Sequence, residues 1–572
     1  MGSDLNSEIE TATDKPRSRK GKAPETDVMD VEPALVEAAL VRIKPQVQAQ
    51  DFELIARLWS TLTLVMRLVR VQRASIARLR RLFGMGSSEK TRDVLGPQPP
   101  AAHDETAAPP STAAAGSGDD THTPDKPKRP GHGRLAASDY PAAVHHAVAH
   151  TELSTGCVCP RCRRGTLYQL AEPARIVRII GQPMLSAVCW DCQRLRCSGC
   201  GDVFTARAPL QAQGPKFDET AVAMIALCRY GAGLPHHRLE RLQRNLQTPI
   251  ASSTQWKALD QGAPDLRPVF EHMERIAAQA SVIHDDDTYV RILAFMGERR
   301  AKLLQEGTLP SPDRTGLYTT AILAMGDCGP IALFYSGRKH AGENLSKLLT
   351  ARDPESDPPI LMSDALTRNV PKDQPVVEAN CLPHGRRNFV DQFPNFPTEC
   401  RAVLELMRQV FAVEVDCKRR KLSAQQRLCE HQTHSQPVMD ALHALMTDDL
   451  ACKRVEPNSS LGKAYDHMLK RWDKFTLFLR KSGAPLDNNI CERALKMAIC
   501  HRRNSLFYRT QHGASVGDMF TSLIHTAELH GQNPFDYLCA VLQNPGAAAV
   551  NPGAWMPWTY QSTTAALSDK SS

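Results

Sequence analysis

The spacing of apolar residues along the chain changes several times, and each change predicts a different element. Over residues 33–91, leucines and valines recur three, four or seven positions apart, which predicts a helix. One heptad register places Leu58, Val65, Gln72 and Leu79 on one core position and Thr61, Leu68, Ser75 and Leu82 on the other. This imperfect zipper predicts a coiled-coil-like helix through which protomers pair. Its arginine-rich outer face, over residues 67–81, is either solvated or in contact with phosphates.

The segments around that helix lack an apolar period. Residues 1–32 are polar, which predicts a disordered tail. Residues 92–139 are rich in Pro, Ala, Gly and Ser, which predicts a flexible linker, and the stretch KPKRPGHGR within them predicts a basic arm able to contact DNA. Residues 546–572 are predicted to form a C-terminal tail.

Short β-prone segments and cysteine pairs fill residues 140–212, and helical patterns follow over residues 213–275. Gly and Pro residues separate the three predicted helices ETAVAMIALCRYGAG, PHHRLERLQRN and STQWKALD. Three short helices with tight breaks are typical of a helix-turn-helix, so we predict a helical DNA-binding region here. An ordinary small helical subdomain is the alternative.

From residue 276 onward the pattern predicts strands. VIHDDDTYVRILAF, LYTTAILAM and PIALFYS predict three strands, AGENLSKLLTA a helix, PPILMSD a buried strand, and EANCLPHGRRNF a strand leading into a helix. This order predicts an α/β domain with a mixed sheet over residues 276–397. Residues 398–480 predict a helical insertion, and residues 481–545 are predicted to complete the α/β domain. The fold class is therefore multidomain, α/β and α.

Two cysteine pairs predict a structural zinc site. Cys159 and Cys162 form one CxxC motif, and Cys197 and Cys200 form the second. Two such turns supply the four thiolates that tetrahedral Zn²⁺ prefers, so residues 140–212 are predicted to be a zinc ribbon. Three further cysteines remain alternative ligands or small buried residues; these are Cys157, Cys189 and Cys192.

Three acidic residues could form a divalent metal site. Asp286 follows the apolar start of a strand, Asp364 ends another strand, and Glu492 lies near a predicted helix start capped by Asp487 or Asn488. Carboxylates that converge at one sheet edge would hold two Mg²⁺ ions for in-line phosphoryl displacement. Each acid alone is equally typical of a cap or turn. The register is ambiguous by one residue because Asp285 and Asp287 flank Asp286, and neighbours in a strand point to opposite faces.

Charge refines this picture more than composition does. Lys and Arg exceed Asp and Glu by 70 to 62, a mild surplus that permits a nucleic-acid partner without requiring one. The surplus is concentrated at residues 67–81, 127–134, 386–387 and 493–509. No apolar run approaches the ~18 residues of a membrane span, and the polar N-terminus does not resemble a secretory signal. We therefore expect a cytoplasmic, nucleoid-associated protein without a membrane partner.

Several motifs, taken in order, resemble a known family. They are LFGMGSSEK at residues 82–90, KRPGHGR at 128–134, the CPRC and CSGC pairs, KFDETAVAMIALCRYGAGLPHHRLERLQ at 216–243, HDDDT at 284–288, CLPHGRRNF at 381–389, and LDNNICERALK with HRRNSLF at 486–507. With these motifs the chain resembles a DDE transposase of the insertion-sequence-66 type.

The resemblance implies an RNase H-like core, split by the helical insertion, that cleaves DNA strands and transfers them to a target. It assigns Asp286, Asp364 and Glu492 as the catalytic triad that binds two Mg²⁺ or Mn²⁺ ions. These ions would be a second kind of cofactor, in addition to the Zn²⁺ of the ribbon. By the same resemblance, six residues contact DNA phosphates: His384, Arg386, Arg387, Arg493, Arg502 and Arg503. The implied partners are double-stranded DNA at the element's terminal inverted repeats and at the target, a second copy of the chain, and accessory proteins of the same element.

The chain departs from the family pattern at a few positions. Asp287 replaces a Glu, Tyr289 a Pro, and Ser505 a common Trp, and the stretch from Ser363 to Leu366 replaces one that usually contains glycine and tyrosine. No triad carboxylate is lost. The alternatives are a catalytically inactive, repurposed DNA-binding protein and a different RNase H-like nuclease.

Overall fold

The structure is a computed structural model. It describes residues 152–170, 184–196, 198, 200, 203–309 and 311–571, together with residues 147–148 and parts of 39–59. The chain divides into two units, Met1–Lys90 and Thr91–Ser572. In the first unit, residues 50–53 and 55–59 are helical, and Arg57 pairs with Glu53 at 2.6 Å. The zipper positions from residue 61 onward, the tail of residues 1–32 and the basic arm lie outside the described residues.

The second unit begins with small hairpins and continues with helices and one large sheet. The strands are β1 (Arg194–Arg196), β2 (Val203–Thr205), β3 (Val282–Tyr289), β4 (Tyr318–Gly326), β5 (Gly329–Gly337), β6 (Ile360–Ser363) and β7 (Val377–Asn380). The helices up to the end of the sheet are α1 (Glu219–Ala226), α2 (His236–Asn245), α3 (Ser252–Ala278), α4 (Gly297–Gln305), α5 (Ala341–Leu349) and α6 (Leu382–Gln392). The later helices are α7 (Pro397–Arg419), α8 (Ala424–Glu430), α9 (Gln436–Ala451), α10 (Ser460–Leu469), α11 (Trp472–Phe475), α12 (Asn489–Ser505), α13 (Gln511–Leu529), α14 (Pro534–Gln543), α15 (Pro545–Val550) and α16 (Tyr560–Ser571).

The large sheet is mixed, as predicted, and β3 lies at its centre. Its strand order is β5-β4-β3-β6-β7. β3 is antiparallel to β4 and parallel to β6, β4 and β5 are antiparallel, and β6 and β7 are parallel. The predicted strands occur in the predicted order. The first was predicted too long, because the chain leaves the sheet after Tyr289 and forms a short turn and α4 instead.

Helices cover both faces of the sheet. On one face, Ile283, Ile322 and Leu361 pack against α1, α3, α5 and α13. On the other, Ala321, Leu323 and Phe334 pack against α12. The third predicted helix, STQWKALD, is far longer than predicted and runs to Ala278 through two prolines. Its buried stripe of Leu259, Ala263, Leu266, Val269 and Met273 continues the helical spacing, and this burial outweighs the hydrogen bonds that proline removes.

Helix α13 covers the edge strand β5 with polar side chains. Asp518, Ser522 and Thr526 lie one turn apart and accept hydrogen bonds from backbone N–H groups of β5, at 2.6 Å from Ser336, 2.9 Å from Phe334 and 3.1 Å from Ala332. An exposed edge would pair with another strand, so these bonds protect the sheet.

The predicted insertion is helical, and the predicted C-terminal tail was wrong. Between β7 and α12 the described residues contain helices and no strand, with a core built around Met407, Met439 and Tyr465. At the C-terminus, Trp555, Met556 and Tyr560 are 1%, 1% and 4% exposed and belong to the main core. Their apolar area stabilises a packed end rather than a free tail. None of the helices in the described part of the chain has the length and apolarity that a membrane span requires.

Candidate active site

Three consecutive aspartates on β3 separate onto the two faces of the sheet. Asp285 follows Ile283 in the strand alternation and points to the face covered by α5, whereas Asp286 points to the face covered by α12. Asp287 lies on the α5 side and pairs with His340 at 3.0 Å and with Arg368 at 3.4 Å. The strand geometry therefore places Asp286, and neither of its two neighbours, on the face that α12 covers.

Asp286 lies close to the other two predicted acids. Burial raises the pKa of Asp286 to about 7, and the negative charges of Asp364, Asp287 and Glu492 add to this rise. The backbone N–H of Asp287 donates to its Oδ1 at 2.8 Å, which opposes the rise. β3, the end of β6 and α12 thus bring the three acids into one electrostatically coupled group.

Asp364 is positioned by the turn that follows β6. Its Oδ1 accepts hydrogen bonds from the backbone N–H of Leu366 at 3.1 Å and from Asn369 Nδ2 at 2.8 Å. Between Asp364 and Leu366, Ala365 adopts φ +67°, a left-handed conformation that glycine adopts more easily. The Asp364 carboxylate is therefore held by two neutral donors.

Glu492 lies in the first turn of α12, and Asn488 fixes where that helix begins. Asn488 is fully buried, and its Nδ2 donates to the backbone carbonyl of Asp285 at 2.9 Å. Its Oδ1 lies 3.0 Å from Nδ1 of His284, whose pKa burial lowers to about 4, so this neutral ring donates to the amide. We predicted Asp487 or Asn488 as a helix cap. Asn488 occupies that position, but its side chain bonds β3 and makes no cap.

Lys418 of the insertion also holds the start of α12. Its Nζ lies 3.0 Å from Glu414 and 3.3 Å from Asp487. Glu414 is 4% exposed and also contacts Arg427 and His431, so the lysine joins a fixed network of the insertion to the segment before Glu492. Sequence reasoning missed both Asn488's bond to β3 and this lysine. The Asp-Asn-Asn-x-x-Glu spacing was the available signal for the first, and no local pattern marks the second.

His384 lies beside the acids. Its Nε2 is 3.6 Å from Glu492 Oε1, and ligand atoms of Cys381, His384 and Glu492 all lie within 4.8 Å of one another, a grouping that could hold a metal ion. Burial raises the pKa of the Cys381 thiol to about 12, and this thiol accepts the backbone N–H of Asn488 at 3.3 Å. A metal ion bound here would have to displace the proton of this thiol. His384 thus lies next to Glu492, and its contact with a DNA phosphate stays a prediction.

The predicted DNA-contacting arginines lie in different environments. Arg386 is 7% exposed, whereas Arg387, Arg493 and Arg503 are exposed. Arg502 donates to Thr288 Oγ1 at 3.0 Å and also to the carbonyl of Tyr289, so it ties α12 to the end of β3. Burial sets Arg386 apart from the exposed three, and contact of any of them with DNA stays a prediction.

The first cysteine pair lies at the tip of a small hairpin. An isolated β-bridge joins Val158 and Thr166, and the backbone N–H of Cys159 donates to Gly165 at 2.7 Å. Backbone N–H groups of Arg164 and Gly165, followed by the Cys159 side chain, lower the pKa of the Cys162 thiol. The second pair falls between the antiparallel strands β1 and β2; Cys200 is exposed, and Cys197 lies outside the described residues.

Comparison with known proteins connects this geometry to a family. A family model described as the transposase IS66 family matches residues 215–516, more than half of the chain and a segment that includes all three acids. The chain belongs to the IS66 transposase family. Among its relatives is the uncharacterized protein y4hP of Sinorhizobium fredii, 26% identical over 393 residues, 65% of this chain and 68% of the relative.

A second IS66 relative supports the same assignment. The uncharacterized protein y4jD of Sinorhizobium fredii is 25% identical over 417 residues, 70% of this chain and 78% of the relative. No solved structure matches the chain significantly. The recognition drawn from the motifs is thus confirmed, and membership in this family supports a transposase-type function and use of a divalent metal.

Proposed function

We propose that this IS66 family member is an active transposase that cleaves DNA strands and joins the freed ends to a target. The observation that carries the proposal is the electrostatic coupling of Asp286 to Asp364 and Glu492, which three separate elements bring together. The sheet supports an RNase H-like core, since its first strand is central, antiparallel to the second and parallel to the fourth.

The three acids have the donor chemistry of a divalent metal site. Burial, together with the negative charges of Asp364, Asp287 and Glu492, raises the pKa of Asp286, and a cation among the acids would offset their repulsion. Oxygen ligands suit Mg²⁺ or Mn²⁺, so Asp286, Asp364 and Glu492 would hold the metal ions. Two bound ions supply activation of the attacking oxygen and stabilisation of the leaving oxygen.

The rest of the chain positions these acids and the DNA. Asn488 ties the start of α12 to β3, so Glu492 and Asp286 keep a fixed separation. His384 contacts Glu492, and Lys418 anchors the same segment from the insertion. Arg387, Arg493 and Arg503 are exposed and would pair with DNA phosphates, which orients the strand for in-line attack.

We also propose a zinc ribbon and a paired N-terminal helix. The lowered pKa of Cys162 and the hairpin that holds Cys159 and Cys162 suit one half of a tetrahedral thiolate site, with Cys197 and Cys200 as the other half. The N-terminal zipper would pair two copies of the chain. α2 presents Arg238 and Arg241 on an exposed face, which suits the predicted contact with double-stranded DNA.

The test is a nicking and joining assay. Purified full-length chain is incubated with Mg²⁺ and a plasmid that carries the DNA flanking its own coding region. We expect metal-dependent cleavage and joined products, lost in Glu492→Gln while duplex binding, measured by fluorescence anisotropy, is retained. The matched control is Glu378→Gln, which changes a carboxylate that pairs with Lys474 at 2.7 Å instead.

Three results would contradict the proposal in different ways. Retained cleavage in Glu492→Gln would refute the triad. Binding without cleavage in the unmodified chain would favour the repurposed DNA-binding protein. Cleavage without joining would favour a nuclease.

A further inference from the structure

A second cleft lies at the far end of α12 from Glu492. It has a volume of about 1000 Å³ and lies between the start of α2, the start of α3 and the chain that follows Ser505. Glu492 and Ser505 lie at opposite ends of α12, about 20 Å apart at about 1.5 Å per residue. The carboxylate group is therefore not part of this cleft.

The lining of the cleft is cationic. Arg229, Arg299 and Arg509 contribute positive charge, and Glu240 is the acid among the lining residues. The Glu240 carboxylate is already bound, since it accepts from the Ser252 backbone at 2.9 Å, the Ser252 hydroxyl at 2.6 Å and Arg244 at 2.9 Å. Three guanidinium groups thus face the cleft against one internally satisfied carboxylate, which favours an anionic ligand.

Arg229 is the strongest indication of a ligand. It is 6% exposed, and one guanidinium nitrogen donates to Ser505 Oγ. Its Nε has no hydrogen-bond partner among the described residues. A buried N–H group without an acceptor is costly, and a phosphate oxygen is the acceptor that suits a guanidinium group.

The start of α3 offers further donors beside Arg229. This helix has 27 residues, and its N-cap residue, Ala251, has no side chain that could cap it. Ala251, Ser252 and Ser253 all line the cleft. The N-terminus of a long helix favours negative charge, and the Glu240 carboxylate already meets part of that preference by accepting from the Ser252 N–H and hydroxyl, so the arginines remain the main attraction for a phosphate group.

Aromatic rings form another wall of the cleft. Trp256, Phe507 and Tyr508 line it, and Phe507 is 39% exposed. A phosphate ion gains no binding energy from aromatic rings, whereas a nucleic-acid base stacks on them. The volume lies at the upper end of the range for small-ligand sites, about 300–1000 Å³, so it can hold a nucleotide.

We propose that this cleft binds an unpaired nucleotide of a DNA strand, with its phosphate on Arg229, Arg299 and the start of α3 and its base against Trp256 or Phe507. The proposal rests on the proposed function of the chain as a DNA transposase and deepens it. A duplex end, a single-stranded overhang or a base swung out of the helix would each supply such a nucleotide.

The test compares two DNA probes on the full-length chain. One is a labelled blunt duplex, and the other is the same duplex with a five-nucleotide single-stranded overhang. We expect the overhang to strengthen binding about tenfold by fluorescence anisotropy, and abasic nucleotides in the overhang to remove most of that gain. The DNA change leaves the protein intact, so a folding defect cannot produce this result.

Protein variants locate the effect. Arg299→Ala with Arg509→Ala changes two exposed residues and should abolish the overhang gain while leaving binding of the blunt duplex nearly unchanged. Trp256→Ala should make binding insensitive to the abasic replacement. The matched control is Lys302→Ala, an exposed cation on the same helix as Arg299 but outside the cleft, and it should behave as the unmodified chain.

The outcomes separate this proposal from the proposed function. If the chain cleaves and joins DNA but gains nothing from an overhang, the cleft proposal is wrong and the transposase proposal stands. The cleft proposal is also wrong if the variant with Arg299→Ala and Arg509→Ala still binds the overhang probe more tightly than the blunt duplex. If neither probe binds, the proposed function fails together with the cleft.

Discussion

Asp285 and Asp286 are adjacent residues of the same type, but their carboxyl groups lie in different surroundings. Asp285 is fully buried, and neither of its carboxylate oxygens has a hydrogen-bond partner among the described residues. Burial raises the pKa of Asp285 well above its ordinary value, and the nearby acids add to that, so its charged form is disfavoured. Asp286, one residue later, faces Asp364 and Glu492 and has a pKa of about 7.

The difference comes from the pleat of β3 and from what covers each face. One face receives α5 and the apolar core, where a charge cannot be solvated. The other receives the first turn of α12, which brings the Glu492 carboxylate towards Asp286. Residue type therefore does not distinguish the proposed metal ligand from its neighbours, whereas the pleat of β3 does.

The largest expected effect is on DNA cleavage. Asp286→Asn should reduce it at least about 10³-fold, equivalent to about 4 kcal/mol of barrier, because a neutral amide is a weak metal ligand. Asp285→Asn should leave it close to that of the unmodified chain, because that carboxyl points to the opposite face of the sheet. Single-turnover nicking of both variants measures the contrast, and equal losses in the two would overturn the assignment of faces.

The second effect is on stability without metal. A carboxyl whose pKa is raised in the folded state destabilises that state above its unfolded pKa, so the penalty grows from about pH 4 to about pH 7. At 1.36 kcal/mol per pKa unit, a rise from 3.8 to about 7 corresponds to at most roughly 4 kcal/mol.

Asp286→Asn should accordingly be more stable than the unmodified chain at pH 8 in EDTA and equally stable near pH 4. Mg²⁺ should narrow the gap at pH 8 by stabilising the unmodified chain. Urea unfolding at pH 8 in EDTA, near pH 4, and at pH 8 with Mg²⁺ measures this difference in the free energy of unfolding. A gap that is independent of pH would show that the acids do not repel one another.

A third, smaller effect concerns the side-chain amide of Asn488, which bonds the start of α12 to β3. Asn488→Ala removes the bonds to His284 and to the carbonyl of Asp285, both buried, and should lower the free energy of unfolding by about 1–3 kcal/mol. Cleavage should fall as well, because Glu492 loses its fixed place. Asn489→Ala, at the exposed neighbouring position, is the matched control, and an equal loss there would contradict this role.

The smallest expected effect concerns the turn that holds Asp364. Ala365 has φ +67°, and glycine at this position removes the steric cost of the left-handed conformation. After the entropy that glycine adds to the unfolded chain, Ala365→Gly should stabilise the protein by roughly 0.5–1 kcal/mol. Urea unfolding measures this. Destabilisation would mean that the methyl group packs usefully in this turn.

Much of the large sheet could be predicted because its strands have a strong local signal. PIALFYS and LYTTAILAM are continuous apolar runs, and both became strands. The end of β3 could not be predicted, since the apolar residues after Tyr289 pack against the chain near Tyr508, a partner more than 200 residues away. The buried C-terminus was missed for the same reason, as its aromatic residues pack on distant helices.

The sequence by itself determined the family and the order of the strands, because motif spacing and period-two or helical patterns are properties of neighbouring residues. Only the tertiary structure decided which aspartate of β3 joins Asp364 and Glu492, that Asn488 bonds the strand, and that Arg229 lies buried in a cleft about 20 Å along α12. These features depend on which element covers each face, and that is set by the packing of residues far apart in the chain.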